Sequence, residues 1–146
     1  MNEIEKSNRR VEMSAILSDA VYDYEKAYTA GKENPTLMVE GVLDKAGVDS
    51  SSYEIVDSMY DKDSGVAAIA VYDKYTDETY ISYAGTNYKA DGHKDIISDV
   101  TIGINDSLYL KEINKPALEF YDRVEAKGNY ITTTTGHSYG EFHGGR

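Results

Sequence analysis

The stretch from Gly65 to Gly85, GVAAIAVYDKYTDETYISYAG, decides the fold. Its first part, GVAAIAVYD, is almost wholly apolar in its first half and predicts a strand. Its last part, TYISYAG, is rich in aromatic and β-branched residues, which favour strands. The polar segment KYTDE between them is a short turn, and strands joined by a short turn pair antiparallel. The sequence therefore predicts an antiparallel hairpin.

Helical patterns precede the hairpin. Apolar residues recur at helical spacing from Val11 onward. A second, shorter helix is predicted to begin at Asn34 and Pro35, because Asn can cap a helix and Pro suits its first turn. We expect residues 1–10 to form a polar, frayed tail and residues 11–50 to be helical.

Residues 51–146 are predicted to form a sheet with a crossover helix. SYEIVDSMYD predicts a strand before the hairpin, and NYITTTT predicts a last strand that ends near Thr135. The segment between the hairpin and the last strand has a helical pattern with Pro116 inside it. Either the helix is kinked there or a new helix begins with Pro116 in its first turn. A strand, a long helix and a strand imply a parallel pair. The fold class is therefore α/β, with a mixed sheet that is antiparallel first and then parallel.

The last predicted strand leads into GHSYG, from Gly136 to Gly140. A G-x-S-x-G sequence between a strand and a helix is typical of a nucleophile elbow. The serine there sits in a strained turn, so the residues two positions away must have little or no side chain. Ser138 is therefore a candidate nucleophile flanked by the elbow glycines. The alternative is that Ser138 is an ordinary turn serine.

A second segment, ISYAGTN, has the properties of an oxyanion site. Such a site needs two backbone N–H groups, one from the residue after the nucleophile and one from a loop after an earlier strand. Tyr139 follows the candidate nucleophile, and Gly85 and Thr86 leave the end of an earlier predicted strand. Taken alone, Gly85 and Thr86 are also compatible with an ordinary strand-ending turn.

Together these segments resemble the first half of a fungal-type (class 3) lipase of the α/β-hydrolase fold. The matching segments are YEIVDSMYDKDSGVAAIAVYDKYTDETYISYAGTN, KDIISDVTIGI and ALEFYDRVEAKGNYITTTTGHSYG. Proteins of that family carry an apolar strand ending in Arg-Gly-Thr or Arg-Gly-Ser, an Asp-Trp loop and Gly-His-Ser-Leu-Gly-Gly. In this chain Ala84 replaces the arginine, Ile96 the tryptophan and Glu141 a second glycine.

The resemblance implies a serine ester hydrolase. Ser138 would accept an acyl group from a lipid or another carboxylic ester and pass it to water, without a metal or an organic cofactor. Thr86 and Tyr139 would donate their backbone N–H groups to the oxyanion. His137 would have a structural role in the turn.

Two aspartates match the acidic segment that follows the oxyanion strand in the family. The resemblance implies that Asp95 and Asp99 organise the loop and cap helices there, rather than act as the acid of a catalytic triad. Gly85 would support the oxyanion turn.

The acid and the base of a triad are the missing parts. In this fold they follow the nucleophile in the order Ser, Asp or Glu, His, so we expect them beyond residue 146. His143 is predicted to point away from Ser138, and His93 lies upstream of it. Without a base the serine hydroxyl is not activated. We therefore expect the chain to be an inactive N-terminal fragment of a hydrolase.

Two alternatives remain open at this stage. One is a non-catalytic, degenerate hydrolase module that binds a partner or an acyl ligand. The other is the lipase part of an exported effector, in which the helical residues 11–47 would serve a secretion partner. A downstream Asp and His would separate the first alternative from an active enzyme.

Composition restricts partners and location. The net charge of −11 opposes binding to nucleic acid or to an anionic membrane surface. The chain has no cysteine, which excludes disulfides, a thiol nucleophile and thiolate metal sites. No apolar stretch is long enough to span a membrane, and the N-terminal sequence lacks the apolar core of a Sec signal peptide. We therefore expect a cytoplasmic protein, or one exported without such a signal.

The last predicted strand, from Tyr130 to Thr135, has no predicted strand after it. We expect its outer edge to be uncovered and its apolar face to remain exposed to water. An uncovered strand edge favours pairing with another chain, so self-association through this edge is expected.

Overall fold

A computed structural model describes residues 1–85 and 115–138, with His137 and Ser138 described through their backbone only. The elements in chain order are α1 (Glu3–Thr29), α2 (Thr36–Lys45), a 3₁₀ turn (Ser50–Ser52), β1 (Tyr53–Asp61), β2 (Val66–Asp73), β3 (Glu78–Gly85), α3 (Lys115–Ala126) and β4 (Ile131–Ser138). The order of helices and strands predicted for these residues is confirmed.

The four strands form one mixed sheet in the order β1-β2-β3-β4. β2 pairs antiparallel with β1 and with β3, whereas β4 pairs parallel with β3. The β2–β3 turn contains Asp77 at a φ of 57°, a left-handed conformation that Asp tolerates better than most residues. The predicted hairpin, the parallel pair after it and the α/β class of the sheet are therefore confirmed.

Helices cover both faces of this sheet. On one face α1 and α2 pack against the side chains of Ala67, Ile69 and Val71 of β2. On the other face α3 packs against the alternate residues of β2 and against Ile81 and Tyr83 of β3. A strand covered on both faces needs no polar alternation, which explains the apolar run in β2.

The residues predicted to form a frayed tail are helical instead. α1 begins at Glu3, and its first turn is closed by a capping box between Asn2 and Glu5. The Asn2 side chain accepts from the Glu5 N–H at 2.8 Å, and the Glu5 side chain accepts from the Asn2 N–H at 2.9 Å. The apolar periodicity starts only at Val11, so it gave no sign of the first turns. The predicted boundary at residue 10 is thus corrected.

Two further predictions concern helix starts. α2 begins at Thr36 with Pro35 as its N-cap residue, and Asn34 instead accepts a hydrogen bond from the Thr36 hydroxyl at 2.8 Å. The predicted cap by Asn34 is therefore wrong. α3 spans Lys115–Ala126 and contains Pro116, and the residues before Lys115, which would separate a kinked helix from a new one, lie outside the described ranges. No helix in the described ranges combines the length and apolarity needed to cross a membrane.

Strand β4 differs from the prediction in two ways. It continues past Thr135 to Ser138, because its parallel register with β3 extends to the ends of both strands. Its residues from Ile131 to Gly136 are also buried, whereas an exposed apolar face was expected. α1 contacts β4 as well as β3 and so helps to cover this strand. Among the described strands β4 has β3 as its one neighbour.

Candidate functional site

The carboxyl ends of β3 and β4 meet at the same edge of the sheet. Gly85, the last residue of β3, is the register partner of Ser138, the last residue of β4. Neighbouring strands lie about 4.8 Å apart, so the backbone of Ser138 is one strand spacing from that of Gly85. The chain leaves the two strands at this edge, toward Thr86 and toward Tyr139. Gly136 and His137 belong to the same end of β4.

The remaining predicted site residues lie outside the described ranges. They are Thr86, Tyr139, Gly140, Asp95 and Asp99, together with the two other histidines, His93 and His143. β4 includes Gly136, His137 and Ser138, so these three residues of the predicted elbow are strand residues, and Tyr139 and Gly140 lie outside the described ranges.

Two buried hydrogen bonds hold β3 and β4 in place close to this edge. The Thr135 hydroxyl donates to the Ser82 hydroxyl across the two strands at 2.8 Å. On the opposite face, the Tyr83 hydroxyl donates to the carbonyl oxygen of Ala117 at 2.9 Å, which joins β3 to the first turn of α3. A site on two adjacent strands is positioned better when neighbouring side chains are fixed in this way.

A polar cavity of about 400 Å³ lies at the other end of the strands. Its lining residues are Glu54, Tyr72, Asp77, Thr79, Gly128, Asn129 and Tyr130. The Tyr72 hydroxyl donates to the Asp77 carboxylate, and this hydrogen bond raises the pKa of Tyr72. At about 3.3 Å per residue, the length of β4 places Ser138 roughly 20 Å from this cavity. The cavity is therefore separate from the candidate nucleophile.

A groove of about 540 Å³ lies between α1 and α2. Its apolar lining comes from Ile16, Leu37, Met38 and Val42, and its charged lining from Asp19, Asp23 and Lys45. Leu37 and Met38 are 55% and 40% exposed. The lining includes no residue of β3 or β4. The groove thus offers an apolar surface but no contact with the edge that carries Ser138.

The described side chains include no group of three or more His, Asp or Glu residues that could hold a metal ion. Two of the buried carboxylates, Asp73 and Glu78, are instead paired with arginines. Serine chemistry itself needs no metal, because a positioned hydroxyl and backbone N–H groups carry the reaction.

Two partly buried ion pairs between α1 and the hairpin were not anticipated from the sequence. Arg9 binds Asp73 through two hydrogen bonds of 2.8 and 3.1 Å, and Arg10 binds Glu78 through two of 3.0 and 2.6 Å. Asp73 and Glu78 are direct cross-strand partners, and like charges in that position destabilise a hairpin. Each arginine offsets one of these charges. The sequence does contain a signal for these ion pairs, because one acid lies on each side of the β2–β3 turn and two adjacent arginines lie upstream in α1.

These pairs surround the phenol of Tyr80. Burial raises the pKa of Tyr80, and the nearby charges of Asp73 and Glu78 raise it further. For the arginines, the hydrogen bond that each donates to its partner carboxylate is the main reason that the pKa of Arg9 and the pKa of Arg10 are raised. Tyr80 therefore stays neutral and both arginines stay charged, so this cluster stabilises the fold and is not suited to acid–base chemistry.

Comparison with known proteins adds no relative: no family model matches the chain, and no curated protein or solved structure matches it. The fold and the candidate site together define an α/β protein whose parallel strand ends bring Gly85 and Ser138 to one edge of a mixed sheet. Function is therefore inferred from these residues and their geometry.

Proposed function

We propose that the chain carries the nucleophile and the oxyanion site of a serine ester hydrolase of the lipase type, with the α/β-hydrolase fold. Its substrate would be a lipid or another carboxylic ester. The observation that supports this proposal is the parallel register of β3 and β4, which pairs Gly85 with Ser138 at the carboxyl end of both strands. Open α/β sheets bind ligands at the carboxyl ends of their strands.

The spacing of the two strand ends suits an oxyanion site. The two N–H donors of such a site must lie about 3 Å from one developing oxyanion. Thr86 and Tyr139 are the residues that directly follow the paired residues Gly85 and Ser138. The backbones of Gly85 and Ser138 lie about one strand spacing, or 4.8 Å, apart. A single carbonyl oxygen can be reached from both when the chain turns at this edge.

The proposed reaction is acyl transfer in two steps. The Ser138 oxygen attacks the ester carbonyl carbon, and the N–H groups of Thr86 and Tyr139 stabilise the resulting oxyanion. The tetrahedral intermediate expels the alcohol, which takes up the proton lost by the serine. Water then attacks the acyl-serine, which releases the carboxylic acid and restores the hydroxyl. Both steps need a base, and the residues with described side chains include no histidine.

Covalent labelling tests the nucleophile independently of turnover. The chain is incubated with a p-nitrophenyl alkylphosphonate, and the labelled serine is identified by peptide mass spectrometry. An exposed helical serine, Ser7, serves as the internal reference. An oxyanion site contributes about 10²- to 10³-fold, so Ser138 should be labelled at least about 100-fold faster than Ser7. Ser138→Ala should remove this label, and Ser7→Ala should leave it intact.

The outcomes separate the proposal from its alternatives. Labelling of Ser138 no faster than that of Ser7 refutes the proposed nucleophile and favours a non-catalytic module. Turnover of p-nitrophenyl butyrate is expected to equal that of Ser138→Ala, because an unassisted hydroxyl is a poor nucleophile. Serine-dependent turnover would support the proposed function and would assign a base to His93 or His143.

A further inference from the structure

The groove between α1 and α2, called here the α1–α2 groove, presents exposed apolar side chains. Its lining runs from Ile16 to Asp23 on α1 and from Leu37 to Lys45 on α2. At 1.5 Å per residue these two spans are roughly 10 and 12 Å long, which matches about two turns of a further helix. Leu37 and Met38 are 55% and 40% exposed. A helix that docks in such a groove covers side chains of this kind with its own apolar face.

A glycine lies at the centre of the α2 side of this groove. Gly41 is inside α2 and contributes to the lining. Glycine is unfavourable inside a helix, because it loses more conformational freedom on folding than alanine does. A Cβ atom added at Gly41 would meet no atom of the described residues within 4 Å. The described part of the chain therefore gives no steric reason for a glycine. Close approach of another molecule to the α2 backbone would give one.

The α1 side of the groove is acidic. Asp19 and Asp23 lie four residues apart on α1, and both line the groove. Like charges at this spacing repel each other, and neither carboxylate belongs to an ion pair among the described residues. Lys45, the cation in the lining, lies in the last turn of α2, where a positive charge interacts favourably with the helix dipole. A cation placed beside the two aspartates would offset their repulsion.

We propose that the α1–α2 groove binds a basic amphipathic helix of a partner protein. The apolar face of that helix covers Leu37 and Met38, and one of its side chains lies over Gly41. Its lysines or arginines pair with Asp19 and Asp23. A second copy of this chain is a poor occupant, because two chains of net charge −11 repel each other. The same net charge attracts a basic partner and accelerates its association.

Fluorescence anisotropy with a synthetic peptide tests this proposal on the full chain. The probe is a fluorescein-labelled helical peptide of about 14 residues, long enough to cover the groove, with leucines along one face and lysines along the other. The comparison peptide has glutamate in place of every lysine. We expect the lysine peptide to bind with a Kd of about 10 µM, the weak affinity of a small interface. The glutamate peptide should bind at least about 10-fold more weakly.

Substitution of Gly41 separates binding from folding. Gly41→Leu fills the space over α2 and should weaken binding of the lysine peptide at least about 10-fold. Leucine and alanine both favour a helix more than glycine does, so Gly41→Leu and Gly41→Ala should keep or raise the midpoint of urea unfolding. A lower midpoint for Gly41→Ala would assign the glycine a role inside the chain and would overturn the argument.

Two double variants of equal charge test the aspartates. Asp19→Asn/Asp23→Asn removes two carboxylates from the groove, whereas Asp122→Asn/Glu125→Gln removes two exposed ones from α3, on the opposite face of the sheet. The first should weaken binding of the lysine peptide about 5-fold, the effect of two exposed ion pairs, and the second less than about 2-fold.

Three results overturn the proposal. Equal losses in the two double variants would mean general attraction to an acidic chain and not binding in the groove. Unchanged binding to Gly41→Leu would exclude the groove, and no binding of the lysine peptide at about 100 µM chain would exclude the partner class. None of these results depends on the chemistry of Ser138.

Discussion

Replacement of Arg9 by methionine should destabilise the chain more than replacement of any exposed cation. The Asp73 side chain is fully buried, and that of Arg9 is 18% exposed. Removal of one partner of a buried ion pair costs about 3–5 kcal/mol, because the other charge stays buried and unpaired. Asp73 keeps a hydrogen bond from the Tyr75 N–H at 3.1 Å. We therefore expect the lower end of the range, about 3 kcal/mol.

The other arginines provide a graded series. Glu78 and Arg10 are 8% and 29% exposed, so Arg10→Met should cost about 2 kcal/mol. Arg123 is 52% exposed and binds Asp57, which is 16% exposed, so Arg123→Met should cost at most about 1 kcal/mol. All three arginines make a bidentate contact with a carboxylate, and Asp57 differs from the other two in keeping Lys127 as a second cation at 3.0 Å.

Urea unfolding at one fixed protein concentration measures these differences. The concentration must be fixed because association contributes to apparent stability. The expected loss for Arg9→Met corresponds to a fall in Tm of about 6–12 °C for a chain of this size. The double variant Arg9→Met/Asp73→Asn should recover most of the loss, because it removes the unpaired charge.

Two results would refute this reasoning. One is a cost below about 1 kcal/mol for Arg9→Met, the value typical of an exposed pair. The other is a double variant that is less stable than Arg9→Met alone. Either result would mean that α1 is held to the sheet by its apolar contacts and not by these ion pairs.

Two smaller predictions concern the ion pairs of Asp57 and the N-cap of α1. Burial raises the pKa of Asp57, but hydrogen bonds from Arg123 and Lys127 outweigh burial and hold that pKa below its ordinary value. The pair should therefore stabilise the fold above about pH 4, the ordinary carboxyl range, and lose this effect as the pH falls through the lowered pKa. Asp57→Asn should flatten the acid limb of a plot of unfolding free energy against pH, and an unchanged limb would contradict it. Asn2→Ala should cost about 1 kcal/mol in urea unfolding through loss of the N-cap bond, whereas Asn8→Ala, an exposed change in the same helix, should cost less than half of that.

The central hairpin could be predicted because its signals are local. The apolar run of β2, the β-forming residues of β3 and the polar turn all lie within one short segment. The parallel placement of β4 then followed from the length of the connection, since a long crossover is needed only for parallel strands. Both predictions depend on chain geometry more than on the identity of any single side chain.

The start of α1 was missed because apolar periodicity begins only at Val11, although Asn2 and Glu5 have the spacing of a capping box. Arg9 and Arg10 bind residues that are 64 and 68 positions away in the chain. No periodicity within the first ten residues reveals such contacts. The cap of α2 failed for a different reason, because Asn34 and Pro35 are both acceptable at a helix start, and the Asn34 side chain accepts from the Thr36 hydroxyl instead of capping the helix.

One part of the candidate site could be predicted from local sequence signals, and another part depends on residues that are distant in the chain. The adjacency of Gly85 and Ser138 follows from the topology, because two parallel neighbours that end together must bring their last residues to one edge. Backbone N–H groups do not depend on the identity of neighbouring side chains, so the proposed oxyanion site rests on the strand order and on two glycine-containing sequences. A base for the serine is different in kind, because an imidazole acts only within about 3 Å of the hydroxyl and is held there by contacts from distant parts of a chain. A sequence motif can therefore indicate where the proposed reaction would attach an acyl group, whereas the rate of that reaction would depend on a tertiary contact that the motif does not specify.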